Sequence, residues 1–161
     1  MRPDLYWLPL PDYKLAIMPR PRAGDWLADE IRAWQQQGIN TVVSLLEASE
    51  VHELELGEEE RLCADLGIRF LSLPIPDRGI PAHRPAVRAL AYTLAAQLQA
   101  GASVAVHCRA GIGRSSLIAA CVLAVLGIGD EFALISQARG VAVPDTEQQA
   151  AWLVGFRRTE A

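Results

Sequence analysis

One short segment holds most of the side chains that could act together on a substrate: His107-Cys108-Arg109-Ala110-Gly111-Ile112-Gly113-Arg114-Ser115. A cysteine attacks as its thiolate, so it needs positive charge or oriented N–H groups around it. Gly111 and Gly113 let the backbone turn tightly, so that the N–H groups of Arg109 to Gly113 can converge on one point. A helix starting near Ser115 would add its positive dipole end and its unpaired N–H groups. Arg114 carries a planar fork that matches two oxygens of a phosphoryl group. Together these make an anion cradle with a sulfur nucleophile, Cys108, at its base. The chemistry such a cradle suits is attack on a bound phosphorus.

Cleaving a phosphate ester also calls for a proton donor on the leaving-group side. Asp77, in Pro76-Asp77-Arg78-Gly79-Ile80-Pro81, is the candidate. Its prolines stiffen the loop while Gly79 leaves it a hinge, which suits a segment that closes over substrate. An aspartate that only bonds its own turn is the plainer reading of the same residue. Glu47 and Asp145 are the alternative acids.

These residues need elements to hold them. Ser103 to His107 reads as a strand running into the cradle, and the apolar run from Ser115 as the helix leaving it. Tyr6 to Met18 reads as two short strands around a turn, ended by Pro19-Arg20-Pro21. Asp25 is placed to cap a helix with Leu27, Ile31 and Trp34 on one face, closed by Gly38. Thr41 to Leu46 and Ile68 to Leu73 read as strands, and Pro74 to Pro81 as a loop. Glu47 to Glu60 reads as an irregular acidic loop with a helical turn, leading into a helix through Leu66. Val87 to Leu98 keeps helical spacing up to Gly101, and two more helices are expected near Asp130–Arg139 and Thr146–Arg157. Alternating strands and helices predict an α/β fold: a single domain over residues 1–161, with a central, mostly parallel sheet flanked by helices. In such sheets ligands bind beyond the carboxyl ends of the strands, where both singled-out segments fall.

The segment from His107 to Ser115 resembles the His-Cys-x5-Arg-Ser/Thr signature of the protein tyrosine phosphatase superfamily. Strand Val42-Val43-Ser44-Leu45, loop Ile75-Pro76-Asp77 and segment Asp145-Thr146…Gln149 extend the likeness to small atypical dual-specificity phosphatases, VHZ-like in pattern. The resemblance implies a cysteine-phosphatase fold and a phosphocysteine intermediate. By that resemblance Cys108 is the nucleophile, Arg114 the phosphate clamp and Asp77 the general acid. Arg109, Ala110, Gly111, Ile112 and Gly113 would bind phosphate, and His107 would orient the loop. Ser115 would donate to the departing sulfur, although a plain helix cap has the same geometry. Gln149 matches a glutamine of the segment that positions hydrolytic water, with Asp145 departing from the family pattern at its start. A solvated first helical turn is an equal reading of Gln148 and Gln149. No metal and no cofactor is implied. The substrate expected is a phosphorylated protein or peptide, carrying phosphotyrosine and also phosphoserine or phosphothreonine. Inositol or lipid phosphates, and a phosphate-binding module without turnover, are the alternatives.

The bulk composition agrees with an ordinary globular chain. Of 161 residues, fifteen are basic and nineteen acidic, for a formal charge of −4. That offers no global field for nucleic acid or an anionic membrane. The most apolar run, Leu117 to Ile128, is short against the roughly 20 residues a membrane span takes. Met1-Arg2-Pro3-Asp4 lacks the apolar core of a signal peptide. Three cysteines without metal-ligand spacing argue for a reducing compartment. A cytoplasmic monomer is the expectation. Cys63 and Cys121 are expected in the core, Glu58-Glu59-Glu60 as a solvated helix start, and His52 and His83 at the surface.

Overall fold

The computed structural model describes residues 3–160; Met1 and Arg2 of the N-terminal segment, and Ala161 of the expected domain span, lie outside the described residues. Five strands form one sheet: β1 (Tyr6–Trp7), β2 (Lys14–Met18), β3 (Thr41–Ser44), β4 (Arg69–Ser72) and β5 (Ser103–His107), in the order β1-β2-β5-β3-β4. β2, β5, β3 and β4 are parallel, and β1 adds an antiparallel edge. Seven helices flank it: α1 (Leu27–Gln36), α2 (Ala48–Glu53), α3 (Glu59–Asp65), α4 (Arg84–Gln99), α5 (Arg114–Val125), α6 (Glu131–Arg139) and α7 (Glu147–Glu160).

The strand period of two divides the core between the two faces. Leu15, Ile17, Val43, Val104 and Val106 pack with α4, α5 and residues of α6 and α7. Ala16, Met18, Val42 and Ala105 face the other way, against Leu27, Ile31 and Trp34 of α1 and Cys63 of α3. The central strands β3 and β5 are buried throughout and carry apolar residues on both faces, because both faces are covered. α5 is buried almost all round, Cys121 included, which is why its sequence shows no polar stripe. Among the described residues no helix is long and apolar enough to cross a membrane.

Register places the site. Met18 of β2 and Ser44 of β3 both pair with His107, so three carboxyl ends finish at one level. The Leu45 N–H continues the ladder by donating to the His107 carbonyl (3.0 Å). The segments leaving β2, β3, β4 and β5 therefore emerge side by side.

Two sequence expectations change. Asp25 does not cap α1: Gly24 to Trp26 form a 3-10 turn, and Trp26, already helical, precedes the helix with no side-chain cap. Gly24, at φ +63°, begins the turn ahead of Asp25, so no free helix end is left for its carboxylate. The acidic stretch after β3 is also more ordered than its composition suggests, with the six-residue α2 in it; α3 is the helix expected to run through Leu66. α2 is started by a reciprocal capping box between Glu47 and Glu50. The usual signature opens with Ser or Thr, so a Glu-x-x-Glu version goes unnoticed in the sequence.

Candidate active site

Cys108 leaves the end of β5 and lies almost buried at the start of the turn that Arg114 closes as the first residue of α5. The two glycines of the turn serve different ends. Gly111 has φ +72°, and an added Cβ would lie 2.5 Å from the Met18 carbonyl carbon and 2.6 Å from Pro19 N. Gly113 has φ −85°, so it needs no left-handed freedom. A side chain there would instead run into Asp145 and Gln149. Gly111→Ala is expected to destabilise the fold by about 1–3 kcal/mol, the range for a non-glycine residue forced left-handed, and to lower turnover with it. Thermal melting and kcat on an aryl phosphate check this; parent values for both would show that Met18 and Pro19 do not confine the turn.

The peptide groups of the turn are aimed from outside. Arg20 N–H donates to the Arg109 carbonyl (3.2 Å). Arg139 donates through Nε to the Gly111 carbonyl (3.1 Å) and through Nη2 to that of Ala110 (3.4 Å), while its guanidinium lies over the Tyr6 ring. A trans peptide sets its N–H opposite its C=O. The N–H groups of Ala110, Gly111 and Ile112 are thereby turned away from these partners and left free for an anion.

Arg114 is the hub of the site and is buried. Its Nη1 donates to Glu50 Oε1 (2.6 Å), to the Ile75 carbonyl (2.9 Å) and to the Leu45 carbonyl (3.4 Å). Its Nη2 donates to Glu50 Oε2 (3.0 Å) and Asp77 Oδ1 (3.1 Å). One fork thus gathers the loops after β3 and β4 onto the start of α5. Burial opposes the Arg114 charge, but hydrogen bonds to Glu50 and the charges of Cys108, Glu50 and Asp77 outweigh it and raise its pKa further. Burial likewise opposes ionisation of Glu50, yet bonds from Arg114 and the Glu47 N–H, with the charges of Arg114 and Arg109, hold its carboxyl below the usual range.

The remaining sequence candidates fall around this hub. Ser115 Oγ is 3.4 Å from Cys108 Sγ and fully buried. The N-cap of α5 is Gly113, so Ser115 lies inside the helix and does not cap it. Arg109 lies 3.6 Å from Glu53 and 3.9 Å from Glu50, on the rim. Asp77 is 55% exposed while its carboxylate rests on Arg114. Gln149 is buried and belongs to no solvated turn, unlike exposed Gln148. Its Nε2 donates to the Gly79 carbonyl (3.0 Å), and its Oε1 accepts from the N–H groups of Asp145 (3.0 Å) and Thr146 (3.3 Å). It ties the Asp77 loop to the start of α7. Asp145 is exposed beside Gly113. Glu47 is spent on the cap of α2.

Three residues of the site were absent from the sequence reading or misread in it. Glu50 went unseen, although the Glu47-x-x-Glu50 spacing could have flagged it. Arg139 gave no signal, since a basic residue in the last turn of a helix is ordinary. Glu59 was expected in solvent, but it is 2% exposed and its Oε2 lies 2.6 Å from His107 Nε2. β5 brings buried His107 beneath the first turn of α3, so this carboxylate finds a buried partner, whereas Glu58 and Glu60 are exposed and Glu58 pairs with Arg61 at the surface. Cys63 nearby is buried, and burial, with the charges of Glu59 and Glu60, pushes its thiol up to about 12. It is neutral at physiological pH and takes no part as a thiolate.

The chain covers 99% of its length against a kinase associated phosphatase with its catalytic cysteine changed to serine, and 96% of that chain, at 20% identity and TM-score 0.88. It is similar to Tk-PTP in the active form at 23% identity, over 98% and 99% of the two chains, TM-score 0.76. It is also similar to PTPMT1 in complex with PI(5)P, at 18% identity over 95% and 96%, TM-score 0.75. At these identities the likeness is one of fold. No curated protein matches the chain. A family model described as "Tc-R-P: Polymorphic toxin system, DSP-PTPase phosphatase" matches residues 16–128, from β2 past the end of α5. The match spans Asp77 and the whole of Cys108 to Arg114, and the chain belongs to this DSP-PTPase phosphatase family.

Proposed function

We propose that the chain hydrolyses phosphate monoesters through a phosphocysteine intermediate on Cys108, with phosphotyrosine on proteins or peptides as substrate and phosphoserine or phosphothreonine accepted as well. The observation that supports this is the contact of Asp77 with Arg114 (3.1 Å), the residue expected to supply the proton lying against the residue expected to clamp phosphate. The phosphoryl group is held by the N–H groups of the turn and by Arg114. A phosphoryl oxygen arriving at Nη2 competes with Asp77 for the same donor and releases its carboxyl toward the leaving group. Cys108 Sγ attacks phosphorus, the S–P bond forms and the ester P–O bond breaks. Asp77 gives its proton to the departing oxygen. In the second step water attacks phosphorus, its proton passes to Asp77, and the S–P bond breaks. Ser115 O–H donates to the sulfur as it leaves with the electron pair.

Protein substrates fit a turn whose variable positions hold Arg109 and Ile112 and no lysine, since lysines there would favour polyanionic head groups. With tyrosines only at positions 6, 13 and 92 of the sequence, no tyrosine-rich loop deepens the site, which fits a shallow pocket that also admits the shorter phosphoserine. Comparing kcat/KM over a phosphotyrosine peptide, a phosphoserine peptide and an inositol phosphate tests the assignment. Highest efficiency on the phosphotyrosine peptide is expected; an inositol phosphate preferred by tenfold or more would overturn the substrate class while leaving the chemistry.

The role of Asp77 has its own signature. Asp77→Asn should slow hydrolysis most where the leaving group is poor. A tyrosine-like phenol, with a reference pKa of about 10, needs the proton in the transition state, and a strongly acidic phenol needs it far less. The deficit of the variant should therefore shrink along a series of aryl phosphates as the phenol becomes more acidic. A deficit independent of leaving group would assign Asp77 to loop closure and turn attention to Asp145.

A further inference from the structure

The first turn of α3 supplies a buried carboxylate that the proposed chemistry does not use. Glu59 is 2% exposed and His107 fully buried. A buried carboxylate is retained only where its charge and lone pairs are met, and Glu59 meets His107 Nε2 at 2.6 Å. The other ring nitrogen, Nδ1, lies 3.4 Å from the carbonyl of Cys108, and the Trp34 ring lies against the imidazole at 6.3 Å between centroids. The imidazole is thus clamped between helix α3 and the peptide that leads out of the nucleophile. That carbonyl belongs to the same peptide plane as the Arg109 N–H, the first donor of the turn. Rotation of the ring would move both the Cys108 backbone and that donor.

We infer that Glu59 is a positioning residue: acting through His107, it fixes the Cys108–Arg109 peptide and so the aim of the sulfur and of the first turn N–H. The inference rests on Cys108 being the nucleophile. Outer groups that orient a reacting residue are worth about 10–100-fold in well-studied metal sites, and an effect of that size is expected here. The sulfur's aim matters to the chemical step more than to ground-state phosphate binding, so the loss should fall on kcat.

A double-mutant cycle on the full chain separates this role from a merely structural one. Glu59→Ala should lower kcat on an aryl phosphate by about tenfold or more, with KM within about threefold of the parent. Glu59→Gln, whose amide can still bond His107 Nε2, should recover most of the loss. In a His107→Ala background, Glu59→Ala should cost nothing further in kcat. Additive losses in the double variant, a parent-like kcat in Glu59→Ala, or no rescue by Gln would each overturn the inference. Should Glu59→Ala fail to fold, Glu59→Met, which keeps the side-chain volume but cannot bond His107, decides: a kcat loss of about tenfold that vanishes in the His107→Ala background supports the role, and a parent-like kcat or equal losses in both backgrounds refute it. Cys108→Ser assayed alongside keeps the two claims apart. Its retained activity would remove the nucleophile assignment itself, whereas an inactive Cys108→Ser beside a fully active Glu59→Ala removes only the role of Glu59.

Discussion

Cys108→Ser is expected to abolish turnover of an aryl phosphate while leaving the fold and the anion site in place. A serine hydroxyl is not ionised at neutral pH, and among the described residues no side-chain base is hydrogen-bonded to the side chain of residue 108, Asp77 resting instead on Arg114. His107 is occupied by Glu59 and by the Cys108 carbonyl, and Ser115 offers only a hydroxyl. A nucleophile without an activating base or a lowered pKa is weak. The substitution removes little volume from a nearly buried position, so melting should hardly change. Inorganic phosphate or vanadate should still bind, because Arg114 and the turn N–H groups are untouched. Steady-state activity within tenfold of the parent would rule out Cys108 as the nucleophile.

Arg114→Lys should cost on the order of a hundredfold or more in kcat, the scale for loss of a transition-state donor. Charge is retained, so the argument is geometric. Arg114 uses Nη1 and Nη2 to hold both oxygens of Glu50, two backbone carbonyls and Asp77 at once. A lysine ammonium has three donors at one point and cannot span Glu50 while presenting a fork to the phosphoryl group. The buried Glu50 carboxylate would keep a positive neighbour, which limits the damage to the fold. The loss should therefore appear in kcat with a smaller change in melting. Near-parent kcat in the Lys variant would mean that Arg114 contributes charge alone.

What the sequence reveals follows from how far apart the cooperating residues lie along the chain. The cradle is contiguous, so its order and spacing carry the geometry: the strand ends at His107, the turn is short, and the helix begins at Arg114. The parallel sheet is legible because its strands are apolar on both faces and separated by helical periods. Glu50, Glu59 and Arg139 are different. Each lies in a segment whose acidic or basic residues look like ordinary solvent-facing helix ends, and each meets its partner only through strand register and helix docking. Nothing local tells Glu59 from Glu58 and Glu60. Asp25 fails for the opposite reason: its local chemistry suits a cap, but a 3-10 turn already occupies the helix end. Gln149 reads equally as solvated or functional, and only the docking of α7 shows it buried against the Asp77 loop.

The central claim is that the phosphoryl group passes through Cys108. Mixing enzyme with an aryl phosphate, quenching in acid within the first turnovers and weighing the peptide that contains residue 108 tests it directly. The account predicts a population of that peptide heavier by one phosphoryl group, appearing with a burst of phenol and absent from Cys108→Ser. Turnover with no phosphorylated Cys108 peptide at any quench time, and no burst, would contradict it and point to direct attack by water.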